Sequence, residues 1–361
     1  MERKIKVIAT VINDVIYDQR MIRICSTLSE SHDVELWGRR KSEVNIFERP
    51  YYQRRFRFLI NGGVLFYLAY NVKIFFALLF KKFDIVHAVD LDTLPAGFLA
   101  SKIKRKKIIY DSHEYFTEVP ELLGRSFVRK VWLLIEKTFV PKVDVGITVS
   151  KNIADVYTKK YNIIFHVIRN CPEIKVKKKE VINGDYILYQ GALNKGRGLE
   201  ALIISMKNIP IKLKIAGSGD IDHKLKKLAT DNQLSDKIEF LGLIEPQDLF
   251  EYTNKAFIGY NVMENMGLSY YYSLSNKFFD YIHSGVPVIT NQFPEYDDIN
   301  ITYNCCVFAD AIPEHISKTV NALLSDSKNY QKLKNNCIKA TQDLNWEIEK
   351  RKLIKVYDDL I

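Results

Sequence analysis

The feature that most restricts this chain is an alternation that runs along it twice. Short apolar, β-branched runs are separated by longer amphipathic stretches; the pattern stops once and restarts. In the first half the strand-like runs are 4–12, 33–37, 84–89, 107–111, 143–149 and 165–168, with helical stretches at 18–29, 64–79, 94–102, 126–140 and 151–161. Strands that alternate with helices at this spacing form parallel βαβ units. Their runs are apolar throughout because helices cover both faces of the sheet. Asn170-Cys171-Pro172, the charged run 175–180 and Asn183-Gly184 then interrupt the pattern. It resumes with strands at 186–189, 212–216, 237–241, 256–260, 286–290 and 306–308 and helices at 197–207, 221–233, 247–253, 276–284 and 314–324. A length of 361 residues suits two cores better than one. The expected fold is α/β: Rossmann-like domains at 1–170 and 171–340, their parallel sheets facing across a cleft. Ligands in such sheets bind beyond the carboxyl ends of the strands. The tail reads as a last amphipathic helix, about 341–361, that packs back on the first domain.

The excess charge is confined to one half. Residues 1–170 hold 29 Lys and Arg against 18 Asp and Glu, a net of +11, whereas the whole chain carries +10. The cations cluster at Arg39-Arg40-Lys41, Arg54-Arg55-Phe56-Arg57 and 102–107. Any one cluster is explained by solvation; three in one half point to an anionic partner. No helix-turn-helix, RNP or zinc pattern accompanies them, so a nucleic-acid partner is not expected. An anionic membrane face is, because the stretch 58–80 is rich in aromatics and flanked by cations. Asn61, Gly62-Gly63, Asn71 and Lys73 interrupt that stretch and argue against a membrane span. The apolar run near the N-terminus ends at Asn13-Asp14 without a small-residue cleavage site, so it reads as a first strand. The five cysteines lack CxxC or zinc spacing, and reduced thiols of a cytosolic protein are expected.

Four constellations carry chemistry. Gly191-Ala192-Leu193-Asn194-Lys195-Gly196-Arg197-Gly198 follows the first strand of the second half and opens a helix. Its glycines let backbone N–H groups approach a phosphate, and Arg197 adds two donors. Gly217, in Ala216-Gly217-Ser218-Gly219-Asp220, marks a second turn of this kind. In Asn276-Lys277-Phe278-Phe279-Asp280 the lysine and the acid share one helical edge. A surface ion pair is the plain alternative; against it, the segment stands at a strand–helix junction on the cleft side, where free N–H groups point outward. A diphosphate would suit Lys277, and two ribose hydroxyls would suit Asp280. Finally, Tyr110-Asp111-Ser112-His113-Glu114 crowds acid, imidazole and acid into one loop at the end of a strand.

Taken in order, these pieces resemble the retaining glycosyltransferases of family 4, which have the GT-B architecture. The matching segments are Asp18-Gln19-Arg20, 84–96, 108–118, 143–157, 189–203, 213–220, 238–244 and 275–290. The resemblance implies a nucleotide-sugar donor on the second domain, a UDP-sugar in preference to a GDP-sugar, and a lipid-linked or glycan acceptor on the first. It implies a hexosyl transfer with retention in bacterial surface polysaccharide assembly, in the cytoplasm or at the inner membrane face, with neither cofactor nor metal. Carried over by position, His113, Arg197 and Lys277 are catalytic. Gly191, Arg197, Gly217, Asn276, Lys277, Asp280 and Glu264 bind the donor, and Asp18, Arg20, Asp90 and Glu114 lie on the acceptor side.

The chain departs from that pattern. The first Glu of the family's acidic pair falls on Tyr272, so that Glu264 is the nearest substitute, and the second is Asp280. The Arg after the first glycine of the phosphate loop is Ala192, and the Gly-Gly turn after the first strand is Asn13-Asp14-Val15. A non-catalytic GT-B subunit or a sugar-nucleotide epimerase are the alternatives.

Overall fold

A computed structural model describes residues 3–16, 18–60, 62–174 and 184–361. The interruption read at 175–183 lies outside the described residues. The chain divides into two compact units, Met1–Asn170 with Glu349–Ile361, and Cys171–Ile348.

The first unit is built on strands β1 (Lys6–Thr10), β2 (Asp33–Arg39), β3 (Tyr52–Phe56), β4 (Ile85–Val89), β5 (Lys107–Ser112), β6 (Val145–Thr148) and β7 (Phe165–Val167). They pair in the order β3-β2-β1-β4-β5-β6-β7, all parallel. The second holds β8 (Tyr186–Gln190), β9 (Lys212–Ala216), β10 (Ile238–Gly242), β11 (Ile258–Asn261), β12 (Val288–Thr290) and β13 (Cys306–Phe308), in the order β10-β9-β8-β11-β12-β13, again all parallel. Both orders reverse beside the first strand of their unit, which opens a crevice at the carboxyl ends there. The α/β Rossmann-like class expected from the alternation is the class observed.

Central strands β4 and β8 are buried at every position. Helices begin where the sequence supplies caps: the Asp18 carboxylate accepts from the Met21 N–H, and the Ser150 hydroxyl from the Ile153 N–H. The C-terminal helix, Trp346–Asp358, buries Leu353, Val356 and Tyr357. All five cysteines are buried, and none forms a disulfide.

One strand is hidden by composition. β3 reads Tyr-Gln-Arg-Arg-Phe and falls in what the sequence presents as a basic cluster. Its arginines are held by the fold. Arg55 makes a buried ion pair with Asp14 at 2.6 Å, and Arg54 lies over the rings of Trp37 and Phe56. An edge strand tolerates charge that a central strand would not. Helices Pro294–Tyr303 and Ser327–Ala340 were also absent from the sequence reading.

Candidate donor and acceptor sites

In the second unit, β8 ends at Gln190 and the chain turns at Gly191 with φ of 132°. β9 ends beside it at Gly217, with φ of 144°. A Cβ at Gly217 would stand 1.9 Å from the Gly191 carbonyl oxygen, so the two turns pack backbone against backbone. Gly217→Ala is therefore expected to destabilise this unit by about 2 kcal/mol or more, read as a lower denaturation midpoint.

The helix Asn276–His283 brings its first turn to the same place. It is anchored by Phe278, Phe279, Tyr281 and Ile282, all buried. The Tyr281 hydroxyl donates to the Leu188 carbonyl at 2.9 Å and accepts from the Gln190 N–H at 3.2 Å, which fixes the helix against β8. Lys277 then lies with its Nζ 4.1 Å from the centre of the Tyr189 ring, and 3.9 Å from where a Gly191 Cβ would stand. Asp280 turns to another partner and accepts from Gln190 Nε2 at 3.1 Å. Gln190 Oε1 in turn accepts from the Thr253 hydroxyl at 2.9 Å.

Arg197 completes the cluster. Its guanidinium lies 5.0 Å from the centre of the Tyr270 ring, and Nη1 is 3.4 Å from Met263 Sδ. Burial, and then the charge of Arg197, hold the Lys277 ammonium well below the usual lysine range. Among the described residues neither cation pairs with a carboxylate. Two repelling cations stand over aromatic faces with no anion of their own. Glu264 is tied to the loop through its backbone, its N–H donating to the Gly196 carbonyl at 2.9 Å. Tyr272 caps a short helix, Leu268–Tyr271, and packs on Tyr271. Asn276 is exposed at the start of its helix.

In the first unit the carboxyl ends of β4 and β5 gather a second cluster. Asp90 adopts φ of 56°, a conformation Asp tolerates better than most residues, and its Oδ1 accepts the His113 N–H at 2.9 Å. His113 Nδ1 stands 3.8 Å from Asp90 Oδ2, and its Nε2 3.5 Å from Asp111 Oδ2. Nε2 is buried and makes no hydrogen bond among the described residues. Burial alone would lower the His113 pKa, but the charges of Asp90 and Asp111 raise it to about 9. The ring is thus an imidazolium at neutral pH.

Asp111 is wholly buried. It receives Arg20 Nη2 on Oδ1 at 2.9 Å, and Arg20 Nε and His87 Nε2 on Oδ2 at 3.1 Å each. Its burial opposes ionisation, yet Arg20 and His113 hold its carboxyl well below the usual range. His87 Nδ1 lies 2.7 Å from the hydroxyl of Tyr357, on the C-terminal helix. Among the described residues no three His, Cys, Asp or Glu side chains converge as a metal site.

Because the folded pKa of His113 is raised, its charged form contributes stability that is fully present below about 6.5 and lost as pH rises through about 9. Chemical denaturation at the two ends of that window should show wild type losing on the order of 2–3 kcal/mol. His113→Gln should flatten the slope, and an unchanged slope would count against the geometry.

Residues 172–340 match the family described as glycosyl transferases group 1, and residues 19–173 match the one described as Glycosyltransferase Family 4. Together the two matches span residues 19–340 and support a group 1 glycosyltransferase. No curated protein sequence matches it. Solved structures share the GT-B fold at low identity. Sucrose-phosphate synthase from Thermosynechococcus elongatus is 16% identical over 99% of both chains, with a TM-score of 0.81. HepE from Anabaena, in complex with UDP and glucose, is 13% identical over 98% of this chain and 100% of its own, at 0.79. WaaG, a glycosyltransferase involved in lipopolysaccharide biosynthesis, is 12% identical over 97% and 99%, at 0.74.

Within this glycosyltransferase the fold gathers Gly191, Gly217, Arg197, Lys277 and Asp280 in one place. It likewise gathers His113 and Asp90 in the other unit. Two of the acceptor-side residues are engaged within their own unit. Arg20 is 4% exposed, with Asp111 and the Ile168 carbonyl, 2.7 Å from Nη1, taking up its donors, and it fixes Asp111. Asp18 serves as the N-cap of the helix Gln19–Leu28. Glu114 is exposed, and its carbonyl accepts from Ser112 Oγ at 2.7 Å. The sequence reading missed Gln190, His87 and Tyr357. Gln190 carried a signal, since it is the polar end of an otherwise apolar strand. Tyr357 carried none, being 270 residues from its partner.

Proposed function

We propose that this glycosyltransferase moves a hexosyl group from a nucleoside-diphosphate sugar, a UDP-sugar before a GDP-sugar, to a lipid-linked or glycan acceptor with retention. We place it in bacterial surface polysaccharide assembly, at the inner face of the cell membrane. The observation that carries the reading is the pair Arg197 and Lys277, unopposed by any carboxylate among the described residues, beside the packed glycine turns at Gly191 and Gly217, of which Gly191 is exposed. Such an arrangement is electrostatically unsatisfied until a dianion enters. A diphosphate supplies that charge, and supplies more of it as the glycosidic bond breaks, so the two cations stabilise the leaving group more than the ground state. Asp280, oriented by Gln190, accepts hydrogen bonds from ribose hydroxyls. Glu264 stands in for the missing first acid of the pair. His113 acts as a charged donor to a sugar or acceptor oxygen. The chemistry is proposed to need no metal and no cofactor. That HepE holds UDP and glucose, and that WaaG belongs to lipopolysaccharide biosynthesis, lend support.

Tyr272, at the position of the first acid, favours a second reading as a non-catalytic subunit. Thermal unfolding with UDP, GDP, ADP and CMP, followed by product analysis with the stabilising nucleotide's sugars, separates the two. Stabilisation by one nucleoside diphosphate and turnover of its sugar supports the transferase. Stabilisation without turnover supports the subunit, and a C2-inverted free nucleotide sugar would mean an epimerase.

A further inference from the structure

The helix Gly63–Leu79 is apolar on two faces, although packing on a domain requires only one. Phe66, Tyr70, Ile74 and Leu78 recur at every fourth position and are buried in the core of the first unit. The opposite face exposes Val64, Leu65, Leu68, Val72 and Phe76, and the row continues into Phe80, which is 89% exposed. A helix of 17 residues gives this row a length of roughly 25 Å. Monomers rarely leave so long an apolar stripe in water. The adjoining helix, Ser126–Phe139, touches it where Tyr67 packs edge-on to Trp132 at 5.2 Å. It exposes Phe127, Val131 and Leu134, spaced as one further stripe.

Charge identifies what covers these stripes. No acidic residue occurs from Pro50 to Phe83, and of the cations there Arg54, Arg57, Lys73 and Lys82 are exposed. Lys130 and Lys137 are exposed on the second helix, whose one acid, Glu136, is buried under Lys160 and Tyr161. A second copy of the chain docked on the same face would bring these cations together with no acid between them. An anionic bilayer supplies hydrocarbon for the row and phosphates for its rim.

We propose that the exposed face of residues 64–80 lies flat on a bilayer containing anionic lipid, with Leu68, Phe76 and Phe80 entering the acyl boundary. Among the described residues no helix is long and apolar enough to cross a membrane. This deepens the lipid-linked acceptor reading and rests on it for its purpose, though not for its test. The structure also changes the driving force. Arg55 is paired with Asp14, Lys81 with Glu35, Lys106 with Asp84, and Lys104 caps the carbonyls of Leu78, Leu79 and Lys81. With much of the basic surface engaged inside the unit, insertion of apolar side chains dominates, and binding outlasts added salt.

The test is co-sedimentation of the full chain with vesicles of phosphatidylcholine alone and with a quarter phosphatidylglycerol, at low and high salt. Wild type is expected to bind the mixed vesicles and to retain most of that binding at high salt. Leu68→Glu with Phe76→Glu should weaken it on the order of tenfold or more. Since both side chains are more than half exposed, folding should survive; Leu68→Ser with Phe76→Ser serves if the glutamates lower the melting temperature. No binding by wild type, or equal binding by the variants, overturns the proposal. So does a wild-type dimer that the variants render monomeric, because the occupant would then be a second copy. UDP-induced stabilisation is measured alongside. Its loss in wild type would defeat the donor reading and leave the vesicle result standing.

Discussion

Lys277→Met should remove most of the stabilisation that UDP confers, while leaving the unliganded protein as stable as wild type or more so. The two halves of this result have one cause. In the unliganded state the ammonium is disfavoured by burial and by Arg197, so removing it relieves repulsion. In the complex it meets a dianion through a charge-assisted contact, and its loss should weaken binding about 10- to 100-fold. Turnover should fall further, by on the order of 10² to 10³, because the diphosphate gains charge in the transition state. A merely structural lysine would show the reverse, a lower melting temperature and unchanged nucleotide binding. Asp280→Ala should also reduce UDP stabilisation, and it should act on nucleosides lacking phosphate as well, which Lys277→Met should not. The comparison separates the ribose end of the site from its phosphate end.

The largest effect on stability is expected at Arg20. Arg20→Met removes the bidentate partner of a carboxylate that is fully buried. Breaking a buried pair from one side leaves a charge without compensation, at a cost of about 3–5 kcal/mol. For a unit of this size the melting temperature should fall on the order of 10 °C. Asp111→Leu in the same chain should recover part of the loss, since the second change removes the stranded charge. Equal melting temperatures of Arg20→Met and wild type would show that Arg20 does not hold Asp111. The His113 titration reports on the same cluster. In Arg20→Met the imidazole should keep a raised pKa for as long as Asp111 stays ionised, because Asp90 and Asp111 supply the shift.

How far the site was legible depended on how local each contact is. Gly191 and Gly217 follow strands directly, and a parallel sheet delivers such turns to one edge. Their convergence could therefore be read from order alone. The partners could not. Lys277 and Asp280, three residues apart on one helix edge, suggested an ion pair, yet one lies over Tyr189 and the other binds Gln190. Both choices follow from how β8 packs under the helix. Likewise, nothing local to Arg20 shows that it is buried against Asp111, 91 residues away.

The chain's apolar periodicity by itself determined the architecture, because strands covered on both faces and amphipathic helices admit few arrangements. It also determined where glycine and charge meet the ends of strands. Tertiary structure alone decided which charges are left unanswered. Arg55 and Arg20 look no different in sequence from Arg197, but the first two find carboxylates in the interior at 2.6 and 2.9 Å while the third finds an aromatic face. Whether a cation is available to a ligand depends on what packs against it from distant segments, and that distance in sequence is what local pattern cannot span.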